Sequence, residues 1–225
     1  MASLRRGNVA KVARKLRGER SPMSHLVTSE AELDQIYGPS PEAAIAKEID
    51  YISDHYRAFI EASPFVIVAT SGPEGLDCSP RGDPKGFVRV TDRKTLMLPD
   101  RRGNNRVDSL RNIVRDPRVA LLFLVPGVGE TMRVNGTAQL SRDPELCKSF
   151  EMQGKVPACV IVVTAERVYP QCQKALVRSK LWDPAQHIKR SELPTVGQMI
   201  EAIKAGFDGK AYDANYPERL KQTIY

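Results

Sequence analysis

The spacing of apolar residues in the middle of the chain most strongly constrains its fold. From Phe65 onward, apolar and β-branched residues form continuous or alternating runs broken by Gly, Pro and Asp, a pattern typical of strands. The runs are PFVIVATS, FVRVT, TLMLP, VALLFLV, TMRVNGTAQLS and ACVIVVTAERVY. Because only short helical segments separate them, they favour an antiparallel barrel over a parallel sheet. We therefore predict a mainly β (α+β) fold, a six-stranded antiparallel barrel with flanking helices.

Helical patterns lie on both sides of these runs. Ser29 and Glu32 have capping-box spacing, which predicts a short helix that ends at Gly38. Apolar residues then recur every three or four positions, which predicts one longer helix from Pro41 to Ser63. After the last strand, the segment LPTVGQMIEAIKAGFDG predicts a further helix. Without repeats or a low-complexity linker, one domain is expected: helices in residues 23–64 packed on the barrel, the barrel in 65–183, and a helical extension in 184–225.

The net charge of +7 is concentrated at the start of the chain. Residues 1–22 contain seven basic residues and one acidic residue, so the other residues together carry a charge of only +1. The tail is interpreted in three ways: a dispensable extension, a basic amphipathic arm or a targeting peptide. Because the body is nearly neutral and poor in aromatic residues, nucleic-acid binding is left as a remote alternative that depends on the tail.

Cysteine and apolar patterns exclude several other classes. The four cysteines form no C-x-x-C pair and the three histidines are isolated, so the sequence predicts no metal site. Reduced thiols in a cytoplasmic protein are the simplest interpretation. No apolar run approaches the roughly 18 residues of a membrane span, and no secretory signal is recognisable. We expect no membrane association.

The stretch from Asp77 to Arg115 has the pattern of an anion-binding site. The turn DRRGNN offers arginines and a flexible backbone before a helix, and helix starts bind phosphate through free N–H groups. Asn104 or Asn105 is predicted to cap that helix, with Asp108 completing a capping box. The helix is expected to bury an apolar face formed by Val107, Leu110 and Val114, and to stop at Asp116-Pro117.

Two common phosphate-binding motifs are excluded. The chain has no G-x-x-x-x-G-K-[ST] loop. The sequence Gly127-Val128-Gly129 follows an apolar strand, but it lacks a third glycine and precedes an alternating run, so it predicts a hairpin instead of a dinucleotide-binding turn.

The order of these segments resembles the FMN-binding split barrels related to pyridoxamine 5'-phosphate oxidase. The segments that carry the resemblance are residues 79–83 (SPRGD), 98–106 (LPDRRGNNR), 133–136 (RVNG) and 172–182 (CQKALVRSKLW). The likeness extends over roughly residues 42–183, and is strongest to a subgroup of FMN-dependent enzymes whose reactions are not defined. It implies a homodimer with two FMN sites at the subunit interface.

The resemblance also assigns cofactor contacts. Along the isoalloxazine ring and ribityl chain it places Arg81, Gly82 and Asp83. Backbone at the ring edge would come from Leu98, Pro99 and Asp100. The phosphate would be held by Asn105 and Arg106, and Asn104 beside them is also assigned to the cofactor. The hairpin after the apolar strand would reach the flavin with Thr131 and Arg133, and the partner subunit would contribute Lys174, Arg178 and Trp182.

Simpler roles remain open for several of these residues. Arg81 can pair with Asp83 in an edge-strand turn, Arg101 and Arg102 can be solvent-exposed charges, and Lys174 with Arg178 can form a plain basic helix face.

The resemblance implies an oxidoreductase that transfers a hydride through FMN to or from a small molecule. The arginine–histidine segment with which vitamin-phosphate oxidases bind their substrate is absent, so pyridoxine phosphate is not supported as the substrate. No residue is marked as a general base. The alternatives are a flavin store, sensor or carrier without turnover, or a barrel that holds the deazaflavin F420 or haem.

Overall fold

The structure is a computed structural model that describes residues 26–225. The predicted tail, residues 1–22, lies outside the described residues. The chain divides into one unit that ends at Ile45 and a second from Ala46 to Tyr225. The first contains helix α1 (Glu30–Tyr37) and most of helix α2 (Glu42–Ala46). The packing of residues 23–64 on the barrel stays a prediction.

Helix α1 begins as its sequence predicts. The Ser29 hydroxyl accepts a hydrogen bond from the Glu32 N–H at 3.3 Å, and the Glu32 carboxylate accepts one from the Thr28 N–H at 2.7 Å. The helix ends at Gly38, whose φ of 65° suits a residue without a Cβ.

The second unit is built on one seven-stranded antiparallel sheet. The strands are β1 (Phe65–Gly72), β2 (Gly75–Gly82), β3 (Arg89–Val90), β4 (Thr95–Pro99), β5 (Arg118–Leu124), β6 (Thr131–Ser141) and β7 (Val160–Gln171). Their order is β2-β1-β5-β6-β7-β4-β3. The helices are α3 (Asp54–Ala62), α4 (Asp108–Arg115), α5 (Pro144–Ser149), α6 (Lys174–Ser179), α7 (Val196–Glu201) and α8 (Gly209–Thr223), with 3-10 turns at Pro184–Gln186 and Arg190–Glu192. The α+β antiparallel split-barrel prediction is confirmed.

Strand β2 is the element that the strand prediction omitted. It contains Pro80, which has no N–H to donate and therefore argues against a central strand. The structure places β2 at an edge of the sheet, where Pro80 faces Ile67 of β1. An edge position leaves one side of the strand unpaired, which explains why proline is accepted.

The predicted helix from Pro41 to Ser63 is wrong as one element. It is divided into α2 and α3 because Ile49 joins the sheet, where its backbone exchanges hydrogen bonds with Val168 at 2.7 and 3.1 Å. Helix α3 then restarts at a new cap, Ser53, whose hydroxyl accepts from the Tyr56 N–H at 3.3 Å. Tertiary pairing outweighed the helical period here.

The single helix predicted after the barrel is also wrong. Thr195 caps α7, with Gln198 completing a capping box, but α7 ends at Glu201. A second and longer helix, α8, follows a turn and was not predicted. A Cβ on Gly197 would collide with the Gly209 carbonyl, so these two glycines let the backbones of α7 and α8 meet closely.

The core lies where alternate residues of the strands face inward. Among its most deeply buried side chains are Val66, Val68, Leu121, Phe123, Val134 and Val163. The β6–β7 pairing slips by one residue between Asn135 and Gly136, which is a β-bulge. Gly136 is required there because a Cβ would collide with the Thr164 carbonyl. The predicted hairpin is confirmed between β5 and β6, with Gly127 in its loop at φ 82°.

Candidate functional site

A cavity of about 740 Å³ lies where β2, β4 and β6 end. Five segments line it, and their residues are Ser79, Arg81, Asp100 to Leu110, Leu140, Arg142, Lys155 to Cys159 and Tyr225. Strand pairing brings these segments together. Pro99 faces Val160, and the Asp100 N–H donates to the Cys159 carbonyl at 3.0 Å. The end of β4 therefore fixes the starting point of the loop that follows it.

The loop between β4 and α4 has an unusual backbone. Asn105 has a φ of 60° and Val107 a φ of 52°, both in the left-handed region. Asparagine adopts that conformation more readily than other residues with a Cβ, whereas a β-branched residue such as valine is strained in it. The Asn104 side chain accepts from the Arg106 N–H at 3.0 Å, so it forms a local turn and does not cap the helix.

The predicted cap of α4 is wrong, and so is most of its predicted apolar face, although Leu110 packs against the core. The helix begins only at Asp108, after Val107, and has no side-chain cap. Its buried residues are Ser109, Asn112 and Ile113, whereas Val114 is 75% exposed. The spacing of apolar residues predicted a different face of α4, because two of the three residues that are actually buried are polar.

Hydrogen bonds explain why those polar residues are buried. The Asn112 amide donates to the Thr70 hydroxyl at 3.1 Å, and the Ser109 hydroxyl donates to the Asp77 carboxylate. The bond from Ser109 is the main cause that lowers the pKa of Asp77, with a smaller contribution from Ser79. Helix α4 is thus attached to β1 and β2 through polar side chains.

Positive charge dominates the cavity wall. Its basic residues are Arg81, Arg101, Arg102, Arg106, Arg142 and Lys155, and its aspartates are Asp100 and Asp108. Three of the arginines are paired, Arg81 with Asp100 at 3.5 Å, Arg106 with Asp108 at 2.7 Å and Arg101 with Asp83 at 2.6 Å. Within residues 26–225, Arg102, Arg142 and Lys155 form no ion pair. The cavity therefore suits an anion.

Burial controls the protonation of two groups in the wall. It raises the pKa of Asp100 and outweighs the opposing attraction of Arg81. It also raises the pKa of the Cys159 thiol to about 11, assisted by the nearby Asp100. Cys159 is therefore a protonated thiol at neutral pH and is not a nucleophile.

The Arg81 Nε is buried without a hydrogen-bond acceptor among the described residues, which is costly unless a ligand or water satisfies it.

Five residues assigned by the resemblance line this cavity: Arg81, Asp100, Asn104, Asn105 and Arg106. Their chain neighbours lie just behind the wall. Leu98 and Pro99 are buried in β4, Gly82 ends β2, and the Asp83 carboxylate is 1% exposed. Arg81 does not pair with Asp83 as the simpler interpretation had it, because Asp83 is paired with Arg101. Arg101 is accordingly not a solvent-exposed charge.

The other assigned residues lie elsewhere, in what we call the hairpin cluster: Thr131, Arg133, Lys174, Arg178 and Trp182. They surround the β5–β6 hairpin and α6. The Arg133 guanidinium donates to the Tyr169 hydroxyl at 3.0 Å, and the Trp182 Nε1 donates to the Val128 carbonyl at 2.8 Å. Thr131 starts β6 and Leu140, nine residues later, lines the cavity. At about 3.3 Å per residue, roughly 30 Å of strand separates them.

Sequence reasoning missed several residues of the cavity wall. Ser109, Arg142, Lys155, Cys159 and Tyr225 line it, but none stands in a recognisable motif. Arg142 and Cys159 come together only because β6 and β7 pair with Ser141 opposite Val160. That register is not readable from apolar spacing.

No helix among residues 26–225 is long and apolar enough to cross a membrane. The same residues contain no group of three His, Cys, Asp or Glu side chains arranged to hold a metal ion.

Three solved structures with distant similarity are HupZ of group A Streptococcus, a Clostridium acetobutylicum protein related to general stress protein 26, and an FMN-binding protein from Syntrophomonas wolfei. Their identities to this chain are 18, 16 and 12%, with TM-scores of 0.44, 0.40 and 0.40. The alignments cover 54, 52 and 51% of this chain, and 94, 86 and 82% of the respective structures.

A search of curated protein sequences found no match. The family model of pyridoxamine 5'-phosphate oxidase, in contrast, matches residues 52–172, which is more than half of the chain. The matched range contains strands β1 to β7 and helices α3 to α5. The chain therefore belongs to the pyridoxamine 5'-phosphate oxidase family.

Proposed function

We propose that this protein is an FMN-binding oxidoreductase that works as a homodimer on a small-molecule substrate. The observation that carries the proposal is the cavity beside the β4–α4 loop, whose wall has six basic residues and two aspartates. Family membership supports a flavin as the ligand, and the charge of the wall supports a flavin that carries a phosphate.

The residues present fit FMN in two ways. Asn104, Asn105 and Arg106 offer amide and guanidinium donors next to the start of α4, where phosphate oxygens are favoured. Leu110, Leu140 and Pro157 supply apolar wall, as a flat aromatic ring requires. We assign the phosphate to the first set and the ring to the space beside the second.

The chain would contribute position and charge to the reaction. When bound, FMN supplies the capacity to accept and donate a hydride. Arg81 keeps a positive charge at the wall, and its pairing with Asp100 limits where that charge can move. Cys159, held as a thiol, adds no competing nucleophile. We name no general acid or base.

The location of the hairpin cluster supports the homodimer. None of its residues lines the cavity, so within this proposal they serve the site of the partner subunit. Two apolar side chains on and beside α6, Val177 and Leu181, are 59% and 46% exposed. Exposed apolar residues beside functional candidates are typical of an interface.

The first test is to purify the full chain, record its visible absorption spectrum and identify what it releases on heating. Released FMN with the two bands of oxidised flavin is the expected result. Release of F420 or haem would identify that cofactor, in place of FMN, as the ligand of the cavity. A colourless protein that fails to bind added FMN would overturn the proposal. Anaerobic reduction of the bound flavin by a nicotinamide, followed by turnover in air, separates an oxidoreductase from a carrier.

A matched pair of variants locates the phosphate. Arg106 lines the cavity, whereas Arg115 lies at the other end of the same helix and pairs with Glu74. We expect Arg106→Ala to weaken FMN binding about tenfold, the usual effect of losing a hydrogen bond to a charged group. Arg115→Ala is expected to bind FMN normally. If the two variants bind FMN with equal affinity, Arg106 does not contact the phosphate.

A further inference from the structure

Tyr225 is a residue of the cavity wall that neither the motifs nor the family match includes. The match ends at residue 172, and Tyr225 follows α8. Its ring nevertheless lines the cavity together with the β4–α4 loop. Its hydroxyl donates to the Asp83 carboxylate at 2.8 Å.

The acceptor of this bond is unusually well fixed. Asp83 is 1% exposed and also accepts from the Arg101 Nε at 2.6 Å. Arg101 in turn donates to the Phe150 carbonyl at 2.7 Å, and its guanidinium lies 5.4 Å from the centre of the Tyr225 ring. A hydrogen bond to a buried carboxylate that is already positioned is stronger than one between neutral groups. The hydrogen bond that Tyr225 donates to Asp83 also raises the pKa of Tyr225, as expected for a donor to a carboxylate.

Tyr225 belongs to a pair of helices that we call the helical arm, residues 195–225. Within the arm, α7 and α8 cross at Gly197 and Gly209, and the Asp213 carboxylate accepts from the Gly197 N–H at 2.9 Å and from the Thr195 hydroxyl. The bond from Tyr225 to Asp83 is the one side-chain hydrogen bond that joins the arm to the barrel within residues 26–225. Several apolar side chains of the arm are exposed, among them Met199 and Ile203.

From these contacts we propose that Tyr225 retains the ligand in the cavity. The bond to Asp83 holds the helical arm against the barrel, the Tyr225 ring closes one side of the cavity, and a bound phosphorylated flavin leaves when that bond opens. The inference rests on the proposed function, because it takes FMN as the ligand. It adds a residue and an element, the helical arm, that lie outside the residues matched by the family model.

The test compares two substitutions that each remove one tyrosine hydroxyl. Tyr225→Phe keeps the ring and loses the bond to Asp83. Tyr212→Phe is the control, because the Tyr212 ring packs within the arm against Phe207 and Arg219 and does not line the cavity. The dissociation rate of FMN is measured on the full chain after dilution, and hydrogen exchange of the α7 and α8 amides is measured on the same samples.

We expect Tyr225→Phe to release FMN about tenfold faster than the wild type, which corresponds to one hydrogen bond to a charged group. The same substitution is expected to accelerate exchange in α7 and α8, whereas Tyr212→Phe leaves the rate of FMN release unchanged. Tyr225→Ala, which also removes the ring, is expected to release FMN faster still.

An unchanged rate of release in both Tyr225 variants would overturn the inference while leaving FMN binding intact. Faster exchange in the arm without faster release would also overturn it, because Tyr225 would then have a structural role alone. If the wild-type protein binds no FMN, both the proposed function and the inference about Tyr225 are overturned.

Discussion

The cavity rim and the hairpin cluster are held in place by different kinds of contact. At the rim, the β4–α4 loop has two residues at positive φ, and α4 is attached to the sheet through Ser109 and Asn112. At the hairpin, continuous β5–β6 and β6–β7 pairing supports the backbone, and the Trp182 indole adds a bond to the loop. A ladder of backbone bonds is insensitive to side-chain identity, whereas the rim depends on individual side chains.

This difference indicates where the molecule can respond to a ligand. Strain and side-chain networks concentrate at sites where surrounding groups must adopt one particular arrangement. The rim has both features and an excess of positive charge, so binding of an anion is expected to stabilise it. The hairpin backbone, in contrast, is already held by strand pairing on both sides of β6.

The largest effect is expected when variants of the two regions are combined in one dimer. Chains with Arg106→Ala and chains with Arg178→Ala are co-expressed with different affinity tags, and the mixed dimers are isolated. If each site uses the rim of one chain and the hairpin of the other, one of the two sites in every mixed dimer is intact. We expect that site to regain wild-type FMN affinity.

The control mixes Arg106→Ala with Asn105→Ala, both of which alter the rim, so both sites of each mixed dimer stay defective. If FMN affinity also recovers in the control, a site shared between subunits is not the cause of the recovery. Absence of recovery in the test mixture would contradict a site shared between chains.

A smaller effect is expected when the polar attachment of α4 is removed. Ser109→Ala deletes the bond to Asp77 in a buried position, which should lower the free energy of unfolding by about 1–2 kcal/mol at neutral pH. Ser79→Ala removes the longer bond of a half-buried hydroxyl to the same carboxylate, at 2.9 Å, and should cost less. Denaturant unfolding measures both.

The sign of the pH dependence follows from the lowered pKa of Asp77. Its stabilising contribution is present above the unfolded-state pKa, near 3.9, and is lost as the pH falls through the lower pKa of the folded protein. The difference between wild type and Ser109→Ala should therefore shrink in acid. A difference that is constant from neutral to acidic pH would show that Asp77 is not the partner.

The smallest expected effect tests the strain of the loop. Val107 is 38% exposed at positive φ, so Val107→Gly relieves strain at little cost in burial. It should raise the free energy of unfolding by up to about 1 kcal/mol. Val114→Gly, in the helix proper and 75% exposed, should lower it by about 0.4 kcal/mol. The same sign for both substitutions would contradict a strained loop.

Much of the fold could be predicted from the sequence because strand periodicity and turn residues are local signals. The runs around Val66, Leu121, Val134 and Val163 predicted four central strands whose inward residues form the core. Strand β2 and the break at Ile49 could not be predicted in this way. Pro80 is accepted only because of its edge position, and Ile49 leaves the helix only because Val168 is there to pair with it.

The candidate site was less accessible to sequence reasoning. Arg81 and Arg106 stand in recognisable segments, and the structure places both on one cavity. Arg142, Lys155 and Tyr225 reach the same cavity through strand register and through a helix that the pattern did not reveal. Contacts between residues that are distant in sequence depend on the assembled fold, which periodicity does not describe.

The bulge beside Gly136 has a consequence for insertions and deletions in this chain. On β7, Glu166 and Arg167 are both exposed although they are consecutive, because the bulge shifts the alternation of the strand by one residue. Val168 consequently faces the core. Deleting Glu166 would remove the extra residue of the bulge and restore strict alternation, with Arg167 outward and Val168 still facing the core. A single-residue deletion at the bulge should therefore be tolerated better than one elsewhere in β7, which would turn the residues that follow it to the opposite face.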